Sequence, residues 1–181
     1  MFDPVIHQCP RCSQVHNGAL PDGWGYFPGH GIVCEDCRSA LAEKIRDIAL
    51  TEYRHVRDIA SGAIRSGDLS QPDANERMMP WAAIAMHCWV PLHELVLDMP
   101  VEDFAIDLYE ICPPTRWAPL LMKTRDSFFE KLKGNPTPEE HDRAGRLEAI
   151  IRHLRFDPLC EVELHLYGEP PQNAPPLEAA A

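Results

Sequence analysis

A chain of 181 residues is long enough for one full domain, or for a small module joined to a helical domain. Its hydrophobic fraction of 45% is that of an ordinary globular protein, and no stretch approaches the roughly 20 apolar residues that a bilayer span needs. The net charge of −11, from 17 bases and 28 acids, excludes a general attraction to nucleic acid, because phosphate neutralisation requires Lys and Arg.

The opening MFDPVIHQCP has no basic stretch followed by an apolar run, so a secretory leader is not expected and the expected compartment is cytoplasmic. Disulfides are not expected in a reducing compartment. Residues 1–40 read as a zinc-binding module. Two Cys-x-x-Cys pairs, Cys9–Cys12 and Cys34–Cys37, are separated by 21 residues. Such a pair curls so that both sulfurs face one point, and two pairs supply four thiolates at tetrahedral corners, about 2.3 Å from Zn²⁺. An iron–sulfur centre is the alternative occupant, and a pair of redox dithiols would need βαβ surroundings that neither pair has. A site closed by four thiolates keeps no position for water or substrate, so it is read as structural. His7, His16 and His30 lie near the cysteines as alternative donors. The intervening GALPDGWGYFPGHG, with five glycines and two prolines, predicts loops and a small hairpin. Trp24, Tyr26 and Phe27 are expected to be the core packed over the metal, with a base-stacking surface as the alternative.

Residues 41–167 are expected to form a helical domain. A helix should begin at Cys37 or Arg38, carry Leu41, Ile45, Ile48, Val56, Ile59 and Ala63 on one stripe, and end at Gly62 or Gly67. Glu52 interrupts that stripe. SGDLSQPDAN reads as a linker, Pro80 as the first turn of a short helix over WAAIAMHCWV, and Pro100 as the start of a helix over VEDFAIDLYEI. Thr115 is placed to cap a helix running to about Lys133, with Trp117, Leu121, Thr124, Phe128 and Leu132 on one side. Thr137-Pro138-Glu139-Glu140 is a capping box, followed by Leu147, Ile150, Ile151 and Leu154 on one face. VELHLY alternates and is expected to be a short C-terminal strand, and residues 168–181 a disordered tail. Cys88, Cys112 and Cys160 stand in apolar surroundings and are expected to be buried thiols.

The four-cysteine arrangement resembles the treble-clef group of zinc fingers, with the zinc ribbon second, because the pair Cys34–Cys37 runs straight into the helix RSALAEKIRDIAL. The resemblance covers about 50 residues. It implies a metal, and it implies less about function, since that group includes nucleic-acid binders, protein binders and nucleases. His16-Asn17 offers residue types that a treble-clef nuclease uses, but the second catalytic helix segment is not recognisable. No phosphate-binding glycine loop, Gly-x-Ser-x-Gly elbow or His-Glu-x-x-His motif occurs.

Two charged surfaces stand out. Between Asp68 and Pro114 there are nine acids and one base, Arg77. Glu102, Asp103, Asp107 and Glu110 keep much of one helix face negative, a surface suited to docking a basic protein partner. Arg143, Arg146, Arg152 and Arg155 stud a later helix and form the candidate nucleic-acid surface, although Glu139, Glu140, Asp142 and Glu148 are interleaved. The fold class expected is therefore mainly α, with a small N-terminal four-cysteine module. The expected function is a non-enzymatic zinc-binding adaptor or regulator with a protein partner and no membrane. A nucleic-acid binder using residues 138–155 is the alternative, disfavoured by charge.

Overall fold

The structure is a computed structural model that describes residues 5–96, 108–157 and 160–166. The chain is mainly α-helical and divides into two compact units, Met1–Lys44 and Ile45–Ala181.

In the first unit, strand β1 (Ile6–Gln8) pairs antiparallel with β2 (Val15–Asn17), and β3 (Gly25–Phe27) with β4 (Gly31–Val33). The single hairpin expected is thus a pair of them. Helix α1 (Glu35–Ser66) begins directly after β4, two residues before the expected start. Glu35 and Asp36 occupy its first turn, where the helix dipole favours acids. At 1.5 Å per residue, its 32 residues reach about 48 Å. Gly67 ends the helix in a left-handed conformation (φ +79°), which lets the Asp68 and Leu69 N–H groups return to the Ala63 carbonyl. Gly62, the other expected stop, lies inside the helix.

The buried stripe of α1 within the second unit is Ile45, Ala49, Leu50, Glu52, Tyr53 and Ala60. Ile59, expected on that stripe, is exposed. The Tyr53 hydroxyl donates to the Leu95 carbonyl. Helix α2 (Gln71–His87) starts nine residues before the expected Pro80. Ser70 caps it by accepting from the Asp73 N–H, and Pro72 sits in its first turn. Pro80 lies within the helix and removes the bond to the carbonyl of Glu76, an exposed residue, where water can substitute. The helix ends at His87, and Trp89 takes a left-handed φ of +64°.

Short helices α3 (Leu92–Val96) and α4 (Leu108–Ile111) follow. Most of the helix expected from Pro100 lies outside the described residues, as does the tail expected over 168–181. Helix α5 (Pro114–Leu132) packs against α2, α6 (Pro138–Leu154) and α7 (Glu161–Leu166). Trp117, Leu121, Leu147, Ile150, Ile151, Leu154 and Leu164 fill the space between them, each burial worth roughly 2 kcal/mol or more. The predicted capping box is formed: Thr137 Oγ1 accepts from the Glu140 N–H, and Glu140 accepts from the Thr137 N–H. Helix α5 starts one residue before Thr115, at Pro114, with no side-chain cap.

The expected C-terminal strand is instead helix α7. The Asp157 carbonyl accepts from the Cys160 and Glu161 N–H groups and nucleates it. No strand is described in this unit to pair with an extended VELHLY, so its backbone groups bond within a helix, Leu164 turning inward and Leu166 outward.

Candidate metal centre

The first cysteine pair sits on the turn between β1 and β2. The Cys9 carbonyl accepts from the Ser13 N–H, and the Cys9 N–H donates to the Gln14 carbonyl. Ser13 takes φ +62° to close that loop. The second pair flanks the start of α1: Cys34 precedes the helix, its carbonyl accepting from the Arg38 N–H, and Cys37 stands on the first turn. Sulfur atoms of Cys9, Cys12, Cys34 and Cys37 all lie within 4.8 Å of one another, and Cys12 Sγ is 3.5 Å from Cys34 Sγ. Cys9 and Cys34 are buried, Cys37 half-buried and Cys12 exposed.

The electrostatics of the cluster are those of a cation site. Burial alone would raise the Cys9 thiol, but the backbone N–H groups of Cys34, Cys12 and Arg11 outweigh it and bring it down to about 6. The Gln14 N–H favours the Cys12 thiolate, yet the Cys34 sulfur and burial leave Cys12 raised. Cys37 is pushed up to about 12, first by the Cys34 sulfur and then by burial. Four sulfurs this close cannot all ionise against one another unless a cation joins them. The donor set therefore fits a metal ion, and the positive end of the α1 dipole adds to the fit.

Around the cluster, the chain packs as a small module should. Trp24, Phe27, Val33 and Leu41 are buried, whereas Tyr26 faces outward. His7 bonds through Nε2 to the Gly18 carbonyl and His30 lies beside the Phe27 ring, so neither belongs to the sulfur cluster. His16 is opposite His7 on the exposed strand β2, with Asn17 beside it. Gly23 has φ +83°, and a Cβ there would meet Glu35 Oε2 at 2.7 Å and Glu35 Cβ at 3.0 Å. Arg38, which the sequence offered only as a possible helix start, donates to the Gly23 carbonyl across the space that Gly25 leaves open. Gly23→Ala is therefore expected to destabilise this unit by more than about 1 kcal/mol. Gly18→Ala, with nothing within 4 Å, meets backbone strain alone and should cost less. Limited proteolysis of residues 5–44 in the two variants checks the order.

The candidate charged surfaces fare differently. Glu110 is exposed on α4, while Glu102, Asp103 and Asp107 lie outside the described residues. The four arginines of α6 and its C-terminus do not share one environment. Arg143 Nε donates to Glu52 Oε1 at 2.6 Å and Arg146 Nε to Glu52 Oε2 at 3.4 Å, the glutamate being only 1% exposed. The Arg143 guanidinium also lies 4.8 Å from the centre of the Phe128 ring. Arg152 is exposed and Arg155 half-buried. Glu52, which the sequence presents as a flaw in an apolar stripe, is the centre of this arrangement. Among the described residues no helix is long and apolar enough to cross a membrane.

Comparison with family models, with curated proteins and with solved structures finds no match. The class of protein is thus defined by its own fold and site: a mainly helical chain whose N-terminal unit gathers four cysteines beside short hairpins.

Proposed function

We propose that the protein is a non-enzymatic adaptor or regulator whose N-terminal unit is built on one structural Zn²⁺ and binds a protein partner. Four thiolates in a closed set suit Zn²⁺, which needs no further ligand. The order of knuckle, hairpin and helix bearing the second pair supports a treble-clef reading of the module. The observation that carries the functional reading is the division of faces in this unit. Cys9 and Cys34 turn inward, while Ile6 and Val15 on one hairpin and the facing pair Tyr26 and Ile32 on the other are exposed. Exposed aromatic and branched side chains are what a docking face uses. The acidic run of Glu102, Asp103, Asp107 and Glu110 would add steering toward a basic partner.

The nucleic-acid alternative needs clustered bases, and Arg143 and Arg146 are engaged by Glu52. Two measurements test the choice. Partner capture from the native host should be lost in Tyr26→Asp/Ile32→Asp with zinc content unchanged. Anisotropy with labelled duplex should show weak binding at about 150 mM salt. Submicromolar duplex binding that disappears in Arg152→Glu would establish the alternative instead.

A further inference from the structure

A second convergence of metal-binding side chains lies in the other unit, where α2 ends against the turn between α6 and α7. His87 is the last residue of α2, Asp157 follows α6, and Cys160 precedes α7. Ligand atoms of the three lie within 4.8 Å of one another, and His87 Nδ1 is 3.2 Å from Asp157 Oδ2. The His87 side chain is 6% exposed, Cys160 is fully buried, and Asp157 is 20% exposed and marks the side open to solvent. His87 Nε2 is buried and meets no hydrogen-bond partner among the described residues. The ring is held between Tyr109, edge-on at 5.7 Å, and Trp117 at 5.6 Å.

A cysteine, histidine and aspartate together could also suggest a nucleophilic relay. The environment of the sulfur opposes it. Burial first, and then the Asp157 carboxylate, hold the Cys160 thiol well above its ordinary range, the reverse of an activated thiolate. Metal ligation asks for something else: donors of mixed softness converging from different elements, buried and already oriented. Donors on a tetrahedral zinc stand roughly 3.3–3.8 Å apart, from bond lengths of about 2.0–2.3 Å. His87 and Asp157 already lie close to that spacing, and no pair has more than about 1.5 Å to close.

We propose that His87, Asp157 and Cys160 form a second divalent-cation site, of the borderline-soft class that Zn²⁺ and Co²⁺ represent. Binding displaces the Cys160 thiol proton to solvent and leaves a thiolate, a carboxylate and an imidazole on the metal. The ion clamps the end of α2 to the start of α7, one fixed point for three helices. The site is independent of the four-cysteine centre, sharing no residue with it.

The test uses the full chain, stripped of metal and reloaded with Zn²⁺ or Co²⁺, with metal counted per folded chain. The wild-type protein should take up two equivalents. Asp157→Asn and Cys160→Ala should each take up one, and Cys34→Ser should retain one. The Co²⁺ form of Cys34→Ser should show visible bands of a low-symmetry site with weaker sulfur charge transfer than the four-cysteine centre gives. Should Cys160→Ala fail to fold, as judged by circular dichroism, Asp157→Asn decides, because its change is close to isosteric and near the surface. Two equivalents retained in Asp157→Asn, or none in Cys34→Ser, would overturn the proposal. One equivalent in the wild-type protein that survives Cys34→Ser and is lost in Asp157→Asn would uphold it while removing the N-terminal zinc.

Discussion

If the four-cysteine site holds the proposed zinc, a chelator is expected to unfold residues 5–44 while leaving the helices of the second unit in place. The first unit buries few large apolar side chains, chiefly Trp24, Phe27, Val33 and Leu41. A module of this size cannot offset its chain entropy with so small a core. A metal at the four cysteines would supply the difference, since structural zinc contributes on the order of 10 kcal/mol in small fingers. Cys34→Ser should have the same effect, since it deletes a buried donor at the start of α1 and costs one zinc equivalent per chain. The second unit buries its own core around α5, so its helical circular dichroism should persist. Limited proteolysis read by mass spectrometry separates the two outcomes. Cleavage confined to residues before Lys44 is the expected pattern. Identical digests with and without chelator would count against a structural metal.

The second large effect is expected at Glu52. Its carboxylate is 1% exposed and holds Arg143 and Arg146, whose side chains are 15% and 21% exposed. Glu52→Ala removes the anion and leaves two guanidinium groups facing one another across a cavity. Breaking a fully buried pair costs about 3–5 kcal/mol. Because water reaches both arginines, the expected loss lies near or somewhat below the lower end, about 2–3 kcal/mol. A contrasting variant isolates the reason. Replacing all three residues together by Met, Met and Leu should be close to neutral, since no charge is then orphaned. Urea denaturation measures both. A Glu52→Ala variant within about 0.5 kcal/mol of wild type would mean that the pair contributes little.

What could be read from the sequence follows the range of the interactions concerned. The cysteine pairs were legible because each is closed within four residues, and the Thr137–Glu140 box because its bonds span three. In sequence Glu52 is an interruption of an apolar stripe and Arg143 and Arg146 belong to a basic surface, because their pairing spans 91 and 94 positions. Nothing local marks His87 either, since its contact, Asp157, stands 70 positions away. The helix α7 departs from its sequence pattern for another reason. Alternation in VELHLY describes one strand correctly, but a strand exists only with a neighbour. The start of α2 is a local signal, marked by Ser70, Pro72 and Asp73 within the segment SGDLSQPDAN, whose composition is that of a linker.

The unequal cover over the four sulfurs also sets how the centre behaves over time. Cys9 and Cys34 are enclosed, Cys37 is partly so, and Cys12 meets solvent. A metal held there is saturated in its coordination, yet its cage has one accessible corner. Incoming thiols, oxidants and competing soft ions all reach Cys12 first, and one detached sulfur leaves three holding the ion. Release then proceeds stepwise from that corner, so the lifetime of the bound ion is governed by the reactivity of one residue, while its affinity is governed by all four.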